Sequence, residues 1–222
     1  MKAVITADIV NSTKIEETNR YLLVDELDNI IQDLQKLSSL RCEMYRGDSF
    51  QVLVNDVKYC LEIAVLIRLG LKKSNLLKNG KLDARMAIGV GEVSYEHEQV
   101  ILSDGEAFHL SGRTFDKLNK RRLLIATNIN DVDEPLNVML AFIDELLKGL
   151  SYTQSKYLYD SLLYNMSQME LANVYNTSQP NIAKHLKSAK ENLFRLFFDF
   201  AEKTLKSLEK KFSFLFSESL FL

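Results

Sequence analysis

Two aspartates stand at positions where a soluble domain can do metal chemistry. Asp8 closes the β-rich run "KAVITADIV", and Asp48 follows Gly47 in "MYRGDSFQVLV", a glycine turn between two apolar runs. If these runs are neighbouring strands, the end of the first lies beside the turn and the two carboxylates meet. They would repel unless a cation neutralised them. A divalent ion that also takes phosphate oxygens is the natural third partner, since Mg²⁺ favours one or two carboxylates plus substrate phosphates over a full protein cage. A plainer reading stays open at this level, in which Asp48 is a turn residue and Asp8 a helix-side cap.

The elements that must position this pair follow from periodicity. "NRYLLVDELDNIIQDLQKLSSL" carries Leu23, Leu27, Ile30, Ile31, Leu34 and Leu37 at helical spacing, the pattern of an amphipathic helix. "LRCEMYR" and "SFQVLV" flank the two-residue Gly47-Asp48 hairpin signal. A second helix, "VKYCLEIAVLIRLGLKKS", is followed by the strand "LDARMAIGVGEV", a helix in "DGEAFHLSGRTFDKLNK" capped by Ser103 or Asp104, and the strand "RRLLIAT". The order βαββαβ with an added helix and strand predicts an α+β, ferredoxin-like domain over 1–133, with helices on one face of the sheet. Seven of the eight glycines fall between Gly47 and Gly112. Beyond residue 134 the pattern is almost wholly helical, so 134–222 is expected to be an all-α domain.

Composition narrows the functional classes. The 222 residues are 46% hydrophobic and 26% charged, enough to bury a sizeable core. A net charge of -2 supplies no global attraction to nucleic acid, so any DNA contact needs a local basic patch. Cys42 and Cys60 form no CxxC pattern, which fits a reduced, cytoplasmic chain. The N-terminal apolar run is too short for a membrane span.

"ADIVNST", "RGDSFQVLV", "ARMAIGVGEV" and "SDGEAFHLSGR" together resemble the core of the class III nucleotidyl cyclases, and most closely the SatD family, in which such a core precedes a helix-turn-helix. The resemblance covers most of the chain. It implies a metal site of Mg or Mn at Asp8 and Asp48, with the Ile9 backbone as a further ligand, and a nucleoside triphosphate held by Asn11, Ser12 and Thr13 before the first helix. It places His109 and Arg113 at catalytic positions four residues apart on one helix face. Two departures stand out: Met44 occupies the position that often carries a purine-reading lysine, and His109 replaces an asparagine. Both argue for a degenerate site.

The second half carries its own signal. Ser167 and Glu170 spell a capping box. Ala172, Asn176 and Ile182 then match the small, left-handed and apolar positions of a helix-turn-helix, and Ser178 with Pro180 opens the next helix. The preceding "LSYTQSKYLYDSLLY" resembles the leading helices of sigma-factor region 4. In a major groove the readers would be Gln179, Asn181, Lys184 and His185, with Ser178 and Lys187 nearer the phosphates of double-stranded DNA; an ordinary helical hairpin is the competing reading. Phe194, Phe198, Ala201, Leu205, Leu208 and Phe212 follow a coiled-coil a/d spacing that suits a homodimer, or equally packing within one chain. The expectation is a DNA-binding transcriptional regulator with a degenerate nucleotide-sensing or dimerisation domain. The alternative is an active metal-dependent nucleotidyl cyclase or nucleotidyl transferase.

Overall fold

The computed structural model describes residues 1–77 and 80–219. Strand β1 (Lys2–Val10) leads through short turns to helix α1 (Tyr21–Leu34), then strands β2 (Leu40–Arg46) and β3 (Ser49–Val54), helix α2 (Cys60–Lys72), strand β4 (Asp83–Gly91), helix α3 (Glu106–Asp116) and strand β5 (Leu123–Ala126). The five strands lie in the order β2-β3-β1-β4-β5. β1 is antiparallel to both β3 and β4, β2 is antiparallel to β3, and β5 runs parallel to β4. The chain thus forms a mixed α+β fold in which the βαββαβ order read from the sequence is realised, with β1 at the centre of the sheet.

Strand alternation sends successive side chains to opposite faces, and the two faces are covered differently. Ala3, Ile5, Ala7 and Ile9 of β1 pack into the main core with Leu27 and Ile30 of α1 and most of α2. Val4 joins a second cluster with Leu53, Val100 and the α3 residues Ala107 and Phe108. The expectation of helices on one face is therefore corrected: α3 lies on the other. Small residues make this approach feasible, because a Cβ at Gly89 would stand 2.2 Å from the Ala107 carbonyl oxygen. The start of α3 also differs from expectation. Its N-cap is Gly105, at φ +147, where a side chain would strike the Glu92 carbonyl oxygen at 2.6 Å; the Asp104 carboxylate instead accepts the Gly105 N–H.

The remaining helices are α4 (Asn130–Gly149), α5 (Tyr152–Tyr164), α6 (Gln168–Val174), α7 (Gln179–Ser188) and α8 (Glu191–Ser219). They share the main core with the sheet's helices through Leu136, Leu140, Leu158, Leu162, Phe194 and Leu205. α4 starts before residue 134 and seals the sheet edge: the Asn137 amide donates to the Ile125 carbonyl at 2.8 Å and accepts the Ile125 N–H at 3.0 Å, standing in for a sixth strand. Tyr159 of α5 donates to Asp33 of α1 at 3.2 Å, with Lys73 over its ring.

The apolar seam of α8 takes the second of the two fates that its spacing left open. Phe194, Phe198, Ala201, Leu205 and Leu208 are buried against this chain's own core, so the expected dimer seam is consumed within one chain. α8 extends to Ser219, while its side chains beyond Phe212 and residues 220–222, where the C-terminal run "FSFLFSESLFL" reads as a docking or partner surface, lie outside the described residues. Among the described residues, no helix is long and apolar enough to cross a membrane.

α2 is apolar on nearly every side and is buried accordingly, yet Arg68 sits in its middle with no exposed surface. Its guanidinium donates to Asp83 Oδ1 at 2.8 Å and Oδ2 at 3.1 Å, and to Asp144 Oδ1 at 2.8 Å. Lys72 and Arg122 also reach Asp83 Oδ2, at 3.1 and 2.6 Å. Asp144 Oδ2 accepts the Arg122 N–H at 2.9 Å and lies 3.2 Å from Lys148. Burial alone would raise the Asp83 carboxyl, but the Arg68 and Lys72 charges hold it well below the usual carboxylate range.

Removing one partner from such a network strands the others without water. Arg68→Met is expected to lower stability by about 3 kcal/mol, read as a fall in the urea midpoint at unchanged slope. A second prediction concerns Glu62 on α2, pushed up to about 7 from 4.5 mainly by burial and next by Glu202 of α8. The folded chain then holds a proton that the unfolded chain has released, so stability is greatest below the unfolded value and declines as pH rises toward 7. Glu62→Gln should flatten the melting-temperature profile between about pH 5 and 7.

Candidate functional site

The end of β1 carries the first candidate. In register, Asp8 pairs with Ser49 of β3 on one side and Arg85 of β4 on the other. The Ile9 N–H donates to the Asp48 carbonyl at 2.9 Å, so the hairpin tip does lie against the end of the first strand. Gly47 takes the left-handed φ of +50, which lets the chain reverse in two residues. The two aspartates are thus brought to one end of the sheet, on strands 41 positions apart for the Asp8–Ser49 pair.

Each carboxylate is already engaged there. Asp8 Oδ1 accepts the Ser49 hydroxyl at 3.3 Å and Oδ2 accepts the Arg85 guanidinium at 3.2 Å. Arg85 in turn lies over the Phe115 ring of α3, 5.4 Å from its centroid. Asp48 Oδ2 accepts the Ser12 hydroxyl at 2.5 Å. Among the described residues, no three His, Cys, Asp or Glu groups are gathered in a way that could hold a metal ion. As arranged, with a guanidinium on Asp8, these residues do not fit a divalent ion.

The segment Asn11–Thr13 is placed beside this end but not at a helix start. Asn11 takes a left-handed turn and its amide donates to the Lys81 carbonyl, Ser12–Lys14 form one 3₁₀ turn, and α1 begins only at Tyr21. Ser12 is buried and Thr13 exposed. His109 and Arg113 do share a face of α3, four residues apart, but it is the outward one. The face toward the sheet is marked by buried Ser111, whose hydroxyl lies 2.9 Å from Thr6 of β1, and residues two positions from it point about 200° away around the helix. His109 pairs with exposed Asp104 at 3.2 Å. Met44 packs on the main core, so its apolar character has a local cause.

The second candidate is the α6–α7 pair. Both halves of the capping box form, the Ser167 hydroxyl accepting the Glu170 N–H and the Glu170 carboxylate accepting the Ser167 N–H. Asn176 adopts φ +48 in the connecting turn, Ala172 and Ile182 are buried, and the Ser178 hydroxyl caps α7 by accepting the Asn181 N–H. The side chains named as readers fall into two groups. Gln179 donates to Gln168 at 2.5 Å, Asn181 donates to Thr177 at 3.0 Å, and His185 meets the Tyr157 ring edge-on at 5.5 Å. Lys184 and Lys187, with Lys190 beyond, are exposed.

Sequence reasoning missed Arg85, because an isolated strand does not say which residue stands opposite Asp8. It also passed over Arg68, although a lone arginine inside "AVLIRLGLK" is a legible sign of a buried charge that needs partners.

No protein-family model matches this chain, and no curated protein matches it. Among solved structures it is similar to the active GGEEF domain of a diguanylate cyclase from Vibrio cholerae, with 19% identity over 56% of this chain and 81% of that one, at a TM-score of 0.35.

The turn geometry makes one stability prediction. Asn tolerates a left-handed backbone where a β-branched residue does not. Asn176→Val is expected to lower stability by about 1–2 kcal/mol, whereas Asn176→Gly should lie within a few tenths of the parent, both measured by chemical denaturation.

Proposed function

We propose that this chain is a DNA-binding regulator in which α6 and α7 act as a helix-turn-helix beside a degenerate nucleotidyl cyclase-like core of the SatD type. The observation that carries the reading is the joint between the two helices. The left-handed Asn176, the buried Ala172 and Ile182, and the Ser178 cap together fix the angle at which α7 leaves α6. Lys184 and Lys187 stand exposed along α7, where they would supply the local positive charge that a DNA contact needs.

Phosphate contacts position a protein on DNA and base contacts specify the sequence. Lys184 and Lys187 are suited to the first role. Gln179 and Asn181 are suited to the second because their bonds to Gln168 and Thr177 hold their amides in fixed orientation, so less side-chain freedom is lost on meeting a base edge. A homodimer matches a two-fold operator, but it would use a surface other than the α8 seam. In this reading the core retains its cyclase-like strand order and has lost the arrangement for turnover.

The metal-dependent nucleotidyl cyclase or transferase reading has one observation in its favour, the joining of Asp8 and Asp48 at one sheet end. The Arg85 pair and the outward His109 weigh against it. Turnover of a nucleoside triphosphate with Mg²⁺ or Mn²⁺, abolished by Asp48→Ala, would replace the first reading.

Anisotropy titration of a labelled duplex pool tests the DNA reading. Lys184→Ala together with Lys187→Ala should weaken binding roughly tenfold or more for all sequences and lower the salt dependence by about two counterions. Asn181→Ala should narrow the gap between a selected site and random duplex. Failure of the parent protein to enrich any sequence from a random pool would remove the reading.

A further inference from the structure

We infer that Arg85 is an internal counter-cation standing where a divalent metal would otherwise sit beside Asp8, and that it closes this end of the sheet to Mg²⁺ and Mn²⁺. It deepens the degenerate-core half of the proposed function and does not depend on DNA binding.

Three features of the structure carry it. First, Arg85 is the directly opposed partner of Asp8 across the β1–β4 ladder, a relation that holds the two Cβ atoms about 5 Å apart. The register therefore favours the ion pair, although the Arg85 side chain keeps 40% of its surface exposed. Second, the guanidinium is seated on its other side by the Phe115 ring of α3 at 5.4 Å, so its resting position is set by two elements. Third, the Asp8 carboxylate has a partner on each oxygen, Ser49 on Oδ1 and Arg85 on Oδ2.

A divalent ion entering here would have to displace the guanidinium from Oδ2 while remaining within reach of its charge. The positive guanidinium would repel the ion at such close range. Asp48 offers no second route. Its Oδ2 is bonded to Ser12, so it is not an open ligand beside an Asp8 that Arg85 already holds. The strand order that brings two aspartates together thus also supplies the charge that compensates one of them.

The inference predicts that removing Arg85 unmasks a metal site. Full-length parent protein, Arg85→Gln, and Arg85→Gln combined with Asp8→Asn would be titrated with Mn²⁺ and the free ion followed by electron paramagnetic resonance. The parent should show no saturable binding that depends on Asp8. Arg85→Gln should acquire one site at least tenfold tighter than any parent binding, and the double variant should lose it. Arg85→Met, which keeps an aliphatic stem against Phe115, provides a second neutral variant if the glutamine form melts well below the parent. Saturable Mn²⁺ binding by the parent that disappears in Asp8→Asn would overturn the inference. So would a folded Arg85→Gln or Arg85→Met protein that gains no site.

Discussion

A guanidinium with no exposed surface can exist in a folded chain only where carboxylates come to meet it, and that requirement organises this molecule. Arg68 lies within an otherwise apolar helix, and its partners come from distant parts of the chain, Asp83 at the start of β4 and Asp144 in the middle of α4. Lys72, Arg122 and Lys148 surround the same two carboxylates. Transfer of these charges out of water is unfavourable unless every member is present. The network therefore adds little to stability in itself compared with an apolar core of the same volume. What it supplies is a strong penalty against alternative packings of α2, β4 and α4.

That penalty ties the helical half to the sheet. α4 also closes the β5 edge with the Asn137 amide, and α8 lays its apolar seam into the common core. The seam looked like the interface of a coiled coil because its spacing is that of one. Spacing reports that a stripe of side chains will be buried, and it is silent on whether the burying partner belongs to another chain. Here the partner is the chain's own core.

The two candidate sites differ in how far local chemistry controls them. At the α6–α7 joint the determinants lie within a dozen or so consecutive residues: a capping box, a small residue, an asparagine suited to a left-handed turn and a serine cap. Each acts through its own backbone, so each was legible in the sequence. At the end of β1 the determinants are distant in sequence. Asp8, Asp48 and Arg85 become neighbours only through strand pairing, and the sign of the local field depends on which residue stands opposite Asp8. The joining of the two aspartates could be reasoned from strand order. The arginine that neutralises one of them could not, because a shift of register by one residue would have sent it to the other face.

The amino-acid sequence by itself determined the βαββαβ order, the helical second half, the Gly47–Asp48 reversal and the caps of α6 and α7, since each follows from short-range periodicity, left-handed backbone tolerance or a side chain bonding its own turn. Only the tertiary structure decided that α3 crosses to the second face of the sheet, that the α8 seam faces inward, that His109 and Arg113 point outward, and that Arg68 and Arg85 find their carboxylates. Those outcomes depend on which surfaces meet. The competition among surfaces for burial and for compensating charge is settled over the whole chain at once.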